Sequence, residues 1–284
     1  MKANAIDTIS AHKAFDGVQG FYSHESESCR GQMKFSVYQP PQATSGKVPV
    51  LVYLAGLTCT EETFMIKAGA QRLASELGMM LVAPDTSPRH AAVAGESDSW
   101  DFGVGAGFYV DATGHPWSAA YNMYSYVVKE LPAILAEHFP AADLSRMGIF
   151  GHSMGGHGAL TIGLKHPELF RSLSAFAPIV APMTCPWGQK AFTGYLGTDQ
   201  AQWKAYDACQ LVQQSCFPGE ILIDQGTADK FLVEQLKPEL FVAACKTAGQ
   251  SLNLRMHDGY DHGYYFISTF MEDHLRHHAK ALGK

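Results

Sequence analysis

The chain has 284 residues, of which 46% are apolar and only 17% charged. That composition excludes disorder as the overall state, and the charge deficit suits a large body with little surface per residue. Lys and Arg number 21 against 27 Asp and Glu, a formal net charge of −6, so nothing in the balance points to nucleic acid as a partner.

In chain order, Met33 to Tyr38 alternates apolar and polar residues, as a half-buried strand does. The segment from Pro40 to Lys47 (PPQATSGK) is a turn. Val48 to Leu54 (VPVLVYL) is continuously apolar, the pattern of a strand buried on both faces. A helix is expected over Thr63 to Leu77, with Ile66, Ala70, Leu73 and Leu77 on one face and Gly78 as its stop. Met79 to Ala83 is a second buried strand. The segment from Asp85 to Trp117 is long, rich in Gly, Ser and Asp, and of the kind that is usually functional. Ala119 to Phe139 predicts a helix, interrupted or begun again near Pro132. A strand over Arg146 to Phe150 and a helix over Gly155 to His166 follow. Strands over Ser172 to Ala177 and Glu220 to Asp224 come next, then a helix from Pro238 to Ala248. Ser251 to Met256 is the last strand, and Tyr264 to Leu282 a long terminal helix. Strands alternating with helices imply an α/β fold with a mostly parallel sheet covered on both faces, over one domain spanning 1–284. Ligands then bind at the carboxyl ends of the strands.

No stretch reads as a membrane span. Val48 to Cys59 is too short, and Ser172 to Gln189 is broken by Pro178, Pro182 and Pro186. Met1 to Lys13 lacks an apolar core behind a basic start, so no signal peptide is expected. Six cysteines (Cys29, Cys59, Cys185, Cys209, Cys216 and Cys245) without a C-x-x-C pair read as free thiols in a reducing, cytoplasmic setting.

The most informative segment is Gly151-His152-Ser153-Met154-Gly155, which matches G-x-S-x-G between a strand and a helix. A sharp turn there would strain Ser153, forbid side chains at Gly151 and Gly155, and aim the Met154 N–H and the positive end of a helix at the reacting atom. A hydroxyl needs a base, and in this context the acid and the histidine follow the serine in that order. In ILIDQGTAD, Asp224 lies in the strand and is expected to serve structure; Asp229, past the Gly226 turn, is favoured as the acid. His262, in the loop GYDHG after the last strand, is the expected base, with His257 as its rival. His274, His277 and His278 share helical spacing that could hold a metal, but a solvated helix face is expected and no metal is assigned. The loop after VPVLVYL offers the Leu57 N–H, beside Gly56, as a second oxyanion donor. The run Gly103 to Gly107 lacks the spacing of a phosphate loop and reads as part of the site wall.

Taken together, LAGLTCTEETF, DSWDFGVGAGFYVDAT, FGHSMGGHGAL, DQGTADKFL and GYDHGYYFISTF resemble the S-formylglutathione hydrolase (esterase D) family. The likeness runs from Met33 to the terminal helix. It implies an α/β-hydrolase fold, no cofactor, and hydrolysis of a glutathione thioester, S-formylglutathione, to glutathione and formate. It maps the nucleophile, acid and base onto Ser153, Asp229 and His262, the oxyanion donors onto Leu57 and Met154, and a cysteine near the site onto Cys59. It also implies a homodimer. Ala55 stands where the family is expected to have Ser, and Trp100 where it is expected to have Tyr; both bear on the pocket wall. Two other functions fit the same residues, a broad short-chain carboxylesterase and a catalytically silent binding module.

Overall fold

The computed structural model describes residues 5–284. The expectation about Met1 to Lys13 rests in part on residues 1–4, which lie outside the described residues. The strands are β1 (Ile6–Ala14), β2 (Gly17–Ser26), β3 (Gly31–Gln39), β4 (Val48–Leu54), β5 (Met80–Pro84), β6 (Ala142–His152), β7 (Phe170–Phe176), β8 (Ile221–Gly226) and β9 (Leu252–His257). Among the described residues they form one sheet in the order β1-β2-β3-β5-β4-β6-β7-β8-β9. From β5 through β9 the pairing is parallel; β1, β2 and β3 form an antiparallel meander that joins β5. Every residue of β4, VPVLVYL, is buried, as its unbroken apolar run requires.

Alternation along β7 shows that both faces of the sheet are covered. A Cβ on Gly163, in the helix Met154–Lys165, would meet the Leu173 side chain, so that helix lies on one face. Ser174 and Phe176, of opposite parity, meet His274 of the helix Tyr264–Ala281 on the other. The mostly parallel α/β sheet expected from the sequence is therefore present.

Several elements differ from expectation. The helix expected over Thr63 to Leu77 is two, Glu61–Lys67 and Gln71–Leu77, separated at Gly69, whose φ of +68° takes the chain out of the helix. The break leaves Ile66, expected on the buried face, 68% exposed. Gly78 ends the second helix in the left-handed conformation, as expected. The helix expected over Ala119 to Phe139 begins later, passes through a π turn at Tyr126–Glu130, and restarts at Leu131–His138 with Pro132 in its first turn. β1 and β2, and the helices Pro186–Leu196, Gln200–Trp203 and Ala208–Val212, were not anticipated. β1 lies mostly in solvent and lacks a clean apolar alternation, which removes the pattern that marks a strand.

The largest correction concerns the terminal helix. His274 and His278 are fully buried, not solvated. His274 Nδ1 and His278 Nε2 each lie 2.8 Å from Ser174 Oγ, His278 Nδ1 lies 2.7 Å from Ser172 Oγ, and His274 Nε2 lies 3.2 Å from Asp224 Oδ2. The small polar residues of β7 supply the partners that let two imidazoles enter the core. No group of His, Cys, Asp and Glu among the described residues is arranged to hold a metal.

Burial pushes the histidines His24, His152, His157, His274, His277 and His278 below their ordinary range, His157 to about 4. Their unfolded counterparts titrate near ~6.5, so below that pH the unfolded chain binds more protons than the folded one. The stability they contribute is present above ~6.5 and is lost as pH falls toward their folded values. Glu61 and Asp207, raised by burial, act in the opposite sense but are fewer. The melting temperature should therefore fall steadily between pH ~7 and pH ~5; a flat or rising thermal-melt profile over that interval contradicts this balance.

Candidate active site

The chemistry gathers at the carboxyl ends of β4, β6, β8 and β9, where a parallel sheet presents its loops. Ser153 sits between β6 and the helix Met154–Lys165 with φ 58° and ψ −118°, a conformation that L residues rarely adopt. The glycines around it are needed for backbone contact. A Cβ at Gly155 would lie 1.9 Å from the Leu54 carbonyl oxygen, and one at Gly151 would lie 2.3 Å from the Gly155 carbonyl oxygen. Ser153 is only 3% exposed. Met154 opens the helix, so its N–H faces the turn with the positive end of the helix dipole behind it.

β4 delivers the second loop. A Cβ on Gly56 would lie 3.2 Å from Ser153 Cβ and 3.1 Å from His152 Nδ1, so Gly56 brings this loop against the nucleophile turn. The next residues are tied down: Thr58, at φ +68°, donates its N–H to the Gly105 carbonyl at 2.8 Å, and Cys59 donates to Gly56 at 3.3 Å. The Leu57 N–H makes no hydrogen bond to another described residue. The run Gly103 to Gly107 thus buttresses the loop, in keeping with its expected place in the wall.

Cys59 is anchored through its carbonyl, which accepts from Thr86 Oγ1 at 2.6 Å and Arg89 Nη2 at 2.9 Å; Arg89 in turn forms a bidentate pair with Asp85 at 2.6 and 2.8 Å. Burial raises the Cys59 thiol above its ordinary range, which keeps it protonated.

β8 and β9 bring the two remaining residues together. His262 Nδ1 lies 2.5 Å from Asp229 Oδ2. The other carboxylate oxygen, Oδ1, accepts the Phe231 N–H at 2.8 Å, and Gln225 Nε2 donates to Oδ2 at 3.2 Å. The His262 ring packs against His152 at 4.4 Å between centroids and meets Phe231 edge-on at 4.9 Å. Because His152 precedes Ser153 in the chain, the first contact seats His262 beside the nucleophile turn. His152 is buried and held well below its ordinary range by burial, with the neighbouring His262 acting in the same direction.

Asp224 and His257, the two rivals, face elsewhere. Asp224 is fully buried and bound by Arg255 at 2.6 and 2.5 Å, with His274 and His257 3.2 and 3.1 Å away. Despite its burial, this ring of donors holds its carboxyl well below the usual range. His257 stacks on Phe270 at 3.7 Å. Asp224 serves the core, as expected. The supporting residues Gln225, His152, Thr86 and Arg89 were not singled out from the sequence. Gln225 and His152 stand next to motif residues but carry no pattern of their own, and Thr86 and Arg89 act across 27 and 30 residues of chain.

The arrangement is thus a strained serine at the start of a helix, an adjacent imidazole paired with a buried carboxylate, and the Gly56 loop packed against the serine turn. Comparison with known proteins agrees with that chemistry. Residues 26–277 match the model of the Esterase family. The S-formylglutathione hydrolase of Bos taurus is 55% identical over 282 residues, covering 98% of this chain and 99% of that protein. The S-formylglutathione hydrolase of Arabidopsis thaliana is 55% identical, covering 99% of each chain. The solved structure of an S-formylglutathione hydrolase from Agrobacterium tumefaciens superimposes with a TM-score of 0.95 at 56% identity, covering 98% of this chain and 100% of that one. At that level of identity, over nearly the full length, the α/β-hydrolase architecture is shared, and the chain belongs to the S-formylglutathione hydrolase family of esterases.

Proposed function

We propose that the protein hydrolyses S-formylglutathione to glutathione and formate through a covalent formyl-enzyme. The observation that carries this reading is the His262–Asp229 pair, 2.5 Å apart and packed beside the Ser153 turn, in a chain of this family. His262 removes the Ser153 proton as Oγ attacks the formyl carbon. The oxygen that gains charge is held by the Leu57 and Met154 N–H groups, each worth about 3 kcal/mol in the transition state. The C–S bond breaks, glutathione leaves as the thiolate, and the imidazolium returns the proton to it. Water, deprotonated by His262, then attacks the formyl ester; Ser153 Oγ recovers the proton and formate leaves. Asp229 orients His262 and stabilises its charged form. Cys59 takes no part in these steps.

The deep seat of Ser153 favours a very small acyl group. No metal or cofactor enters the scheme. Among the described residues no helix is long and apolar enough to cross a membrane. The six cysteines are all free, which supports a cytoplasmic setting. One continuous sheet supports a single domain over 1–284, while the homodimer rests on the family resemblance alone.

Wild-type enzyme should show a higher kcat/KM on S-formylglutathione than on short aryl esters. The reverse preference would make it a broad carboxylesterase. A fluorophosphonate probe should label Ser153, and failure to do so in folded protein would indicate a silent binding module. Asp229→Asn should lower kcat by about 10⁴-fold with the fold intact. Asp224→Asn should instead act on the melting temperature, because it strips the half-buried Arg255 of one of its two carboxylate partners and leaves the buried His274 without its own. If Asp224→Asn abolished turnover and Asp229→Asn did not, the acid would be misassigned.

A further inference from the structure

Among the features that the triad chemistry leaves unused is a row of aromatic rings running outward from the base. Phe231 meets His262 edge-on at 4.9 Å, Trp187 tilts onto Phe231 at 4.6 Å, and Trp100 meets Trp187 edge-on at 5.8 Å. At the far end, Trp100 is 58% exposed, an unusual position for so large an apolar ring beside a reactive centre.

Charges flank this row. The Lys230 ammonium lies 4.9 Å from the Phe231 centroid. Trp187 and Lys190 stand three apart on the helix Pro186–Leu196 and share a face. The Lys190 ammonium pairs with the Asp101 carboxylate and donates to Ser99 Oγ at 2.7 Å. Ser99 and Asp101 bracket Trp100 in the chain, so the outer end of the row carries a cation and an anion side by side.

The proposed substrate has matching chemistry, and the following inference rests on that reading of the activity. The leaving group is a tripeptide with a glycyl carboxylate at one end and an α-ammonium with an α-carboxylate at the other. Three α-linked residues span about 10 Å when extended, and the γ-glutamyl linkage adds to that, enough to run along a row whose centroid steps are 4.6 and 5.8 Å. The chain as a whole carries a net charge of −6, so an anionic substrate needs cations placed locally. We infer that the Phe231–Trp187–Trp100 row is the seat of the glutathione moiety, with Lys230 holding one carboxylate near the base and the Lys190–Asp101 pair holding the amino-acid zwitterion at the outer end. The zwitterion extends the Lys190–Asp101 pair into an alternating set of four charges. The exposed Trp100 ring and the half-buried Phe231 ring cover the methylene groups between the charged ends, and the buried Trp187 holds the two in line.

A different cation serves as the control. Lys67 contacts a ring outside the row, its ammonium 5.9 Å from the Tyr264 centroid. In Lys190→Ala and Lys230→Ala, KM for S-formylglutathione should rise about fivefold each, and about 25-fold in the double variant, with kcat within about twofold of wild type. Lys190→Arg should recover most of the loss. The ratio of kcat/KM on S-formylglutathione to that on 4-nitrophenyl acetate, which carries no charge, should fall by the same factors. Lys67→Ala should leave KM where it is. S-methylglutathione, a thioether that cannot be hydrolysed, reads the same seat without turnover, and its calorimetric Kd should weaken in parallel. An unchanged KM and Kd in the double variant, or a KM that rises in Lys67→Ala instead, overturns the assignment. Failure of the wild-type enzyme to cleave S-formylglutathione while S-methylglutathione still binds in a Lys190- and Lys230-dependent manner would overturn the proposed reaction and leave this seat standing.

Discussion

The site depends on one close approach of main chain to main chain. The first turn of the helix after Ser153 is pressed against the end of β4 so tightly that a single added carbon at Gly155 would fall 1.9 Å from the Leu54 carbonyl oxygen. That contact brings the ends of β4 and β6 together and forces Ser153 into its strained conformation. It also leaves Gly56 packed against the serine turn and Met154 at the start of the following helix. A backbone strained in this way persists only where its surroundings over-determine it. Here they do, because β4 and β6 are hydrogen-bonded neighbours deep in the sheet and every residue of β4 is buried.

His262 and Asp229, the base and acid of the proposed reaction, sit on the loops leaving β9 and β8. Two carboxylates five residues apart divide the work. Asp224, in the middle of β8, is consumed by Arg255, His257 and the buried His274 and fastens the terminal helix to the sheet. Asp229, beyond the turn, keeps one oxygen for His262 and has its other oxygen anchored by the Phe231 N–H. Phe231 therefore makes two contacts: its main-chain N–H anchors Asp229, and its ring meets His262 and begins the aromatic row.

What was legible in the sequence was local or strictly ordered. G-x-S-x-G is legible because its glycines answer to steric demands within five residues of chain. Asp229 and His262 are legible because a parallel sheet places functional loops after its strands, in order. The buried parallel strands are legible as unbroken apolar runs. Illegible were features whose cause lies far away in the chain. His274 and His278 carry helical spacing and polar character, which on their own describe a solvated face. Only Ser172 and Ser174, about 100 residues earlier, make that face a buried one. The break at Gly69, the solvent-facing β1, and the Thr86 and Arg89 anchors of the Cys59 carbonyl are of the same kind.

By itself, then, the sequence determined which residues can do chemistry: a serine at a turn that only glycine-flanked backbone can make, an acid and a histidine in loops after strands, and the family that this order marks. The tertiary structure alone decided how they meet: which carboxylate faces the imidazole, which histidines are sealed in the core, and which aromatic rings line up outward from His262. The physical reason is range. Backbone sterics and strand order act between near neighbours and leave a periodic or motif-like trace, whereas hydrogen bonds, ion pairs and ring contacts between distant segments exist only once the sheet has brought those segments together.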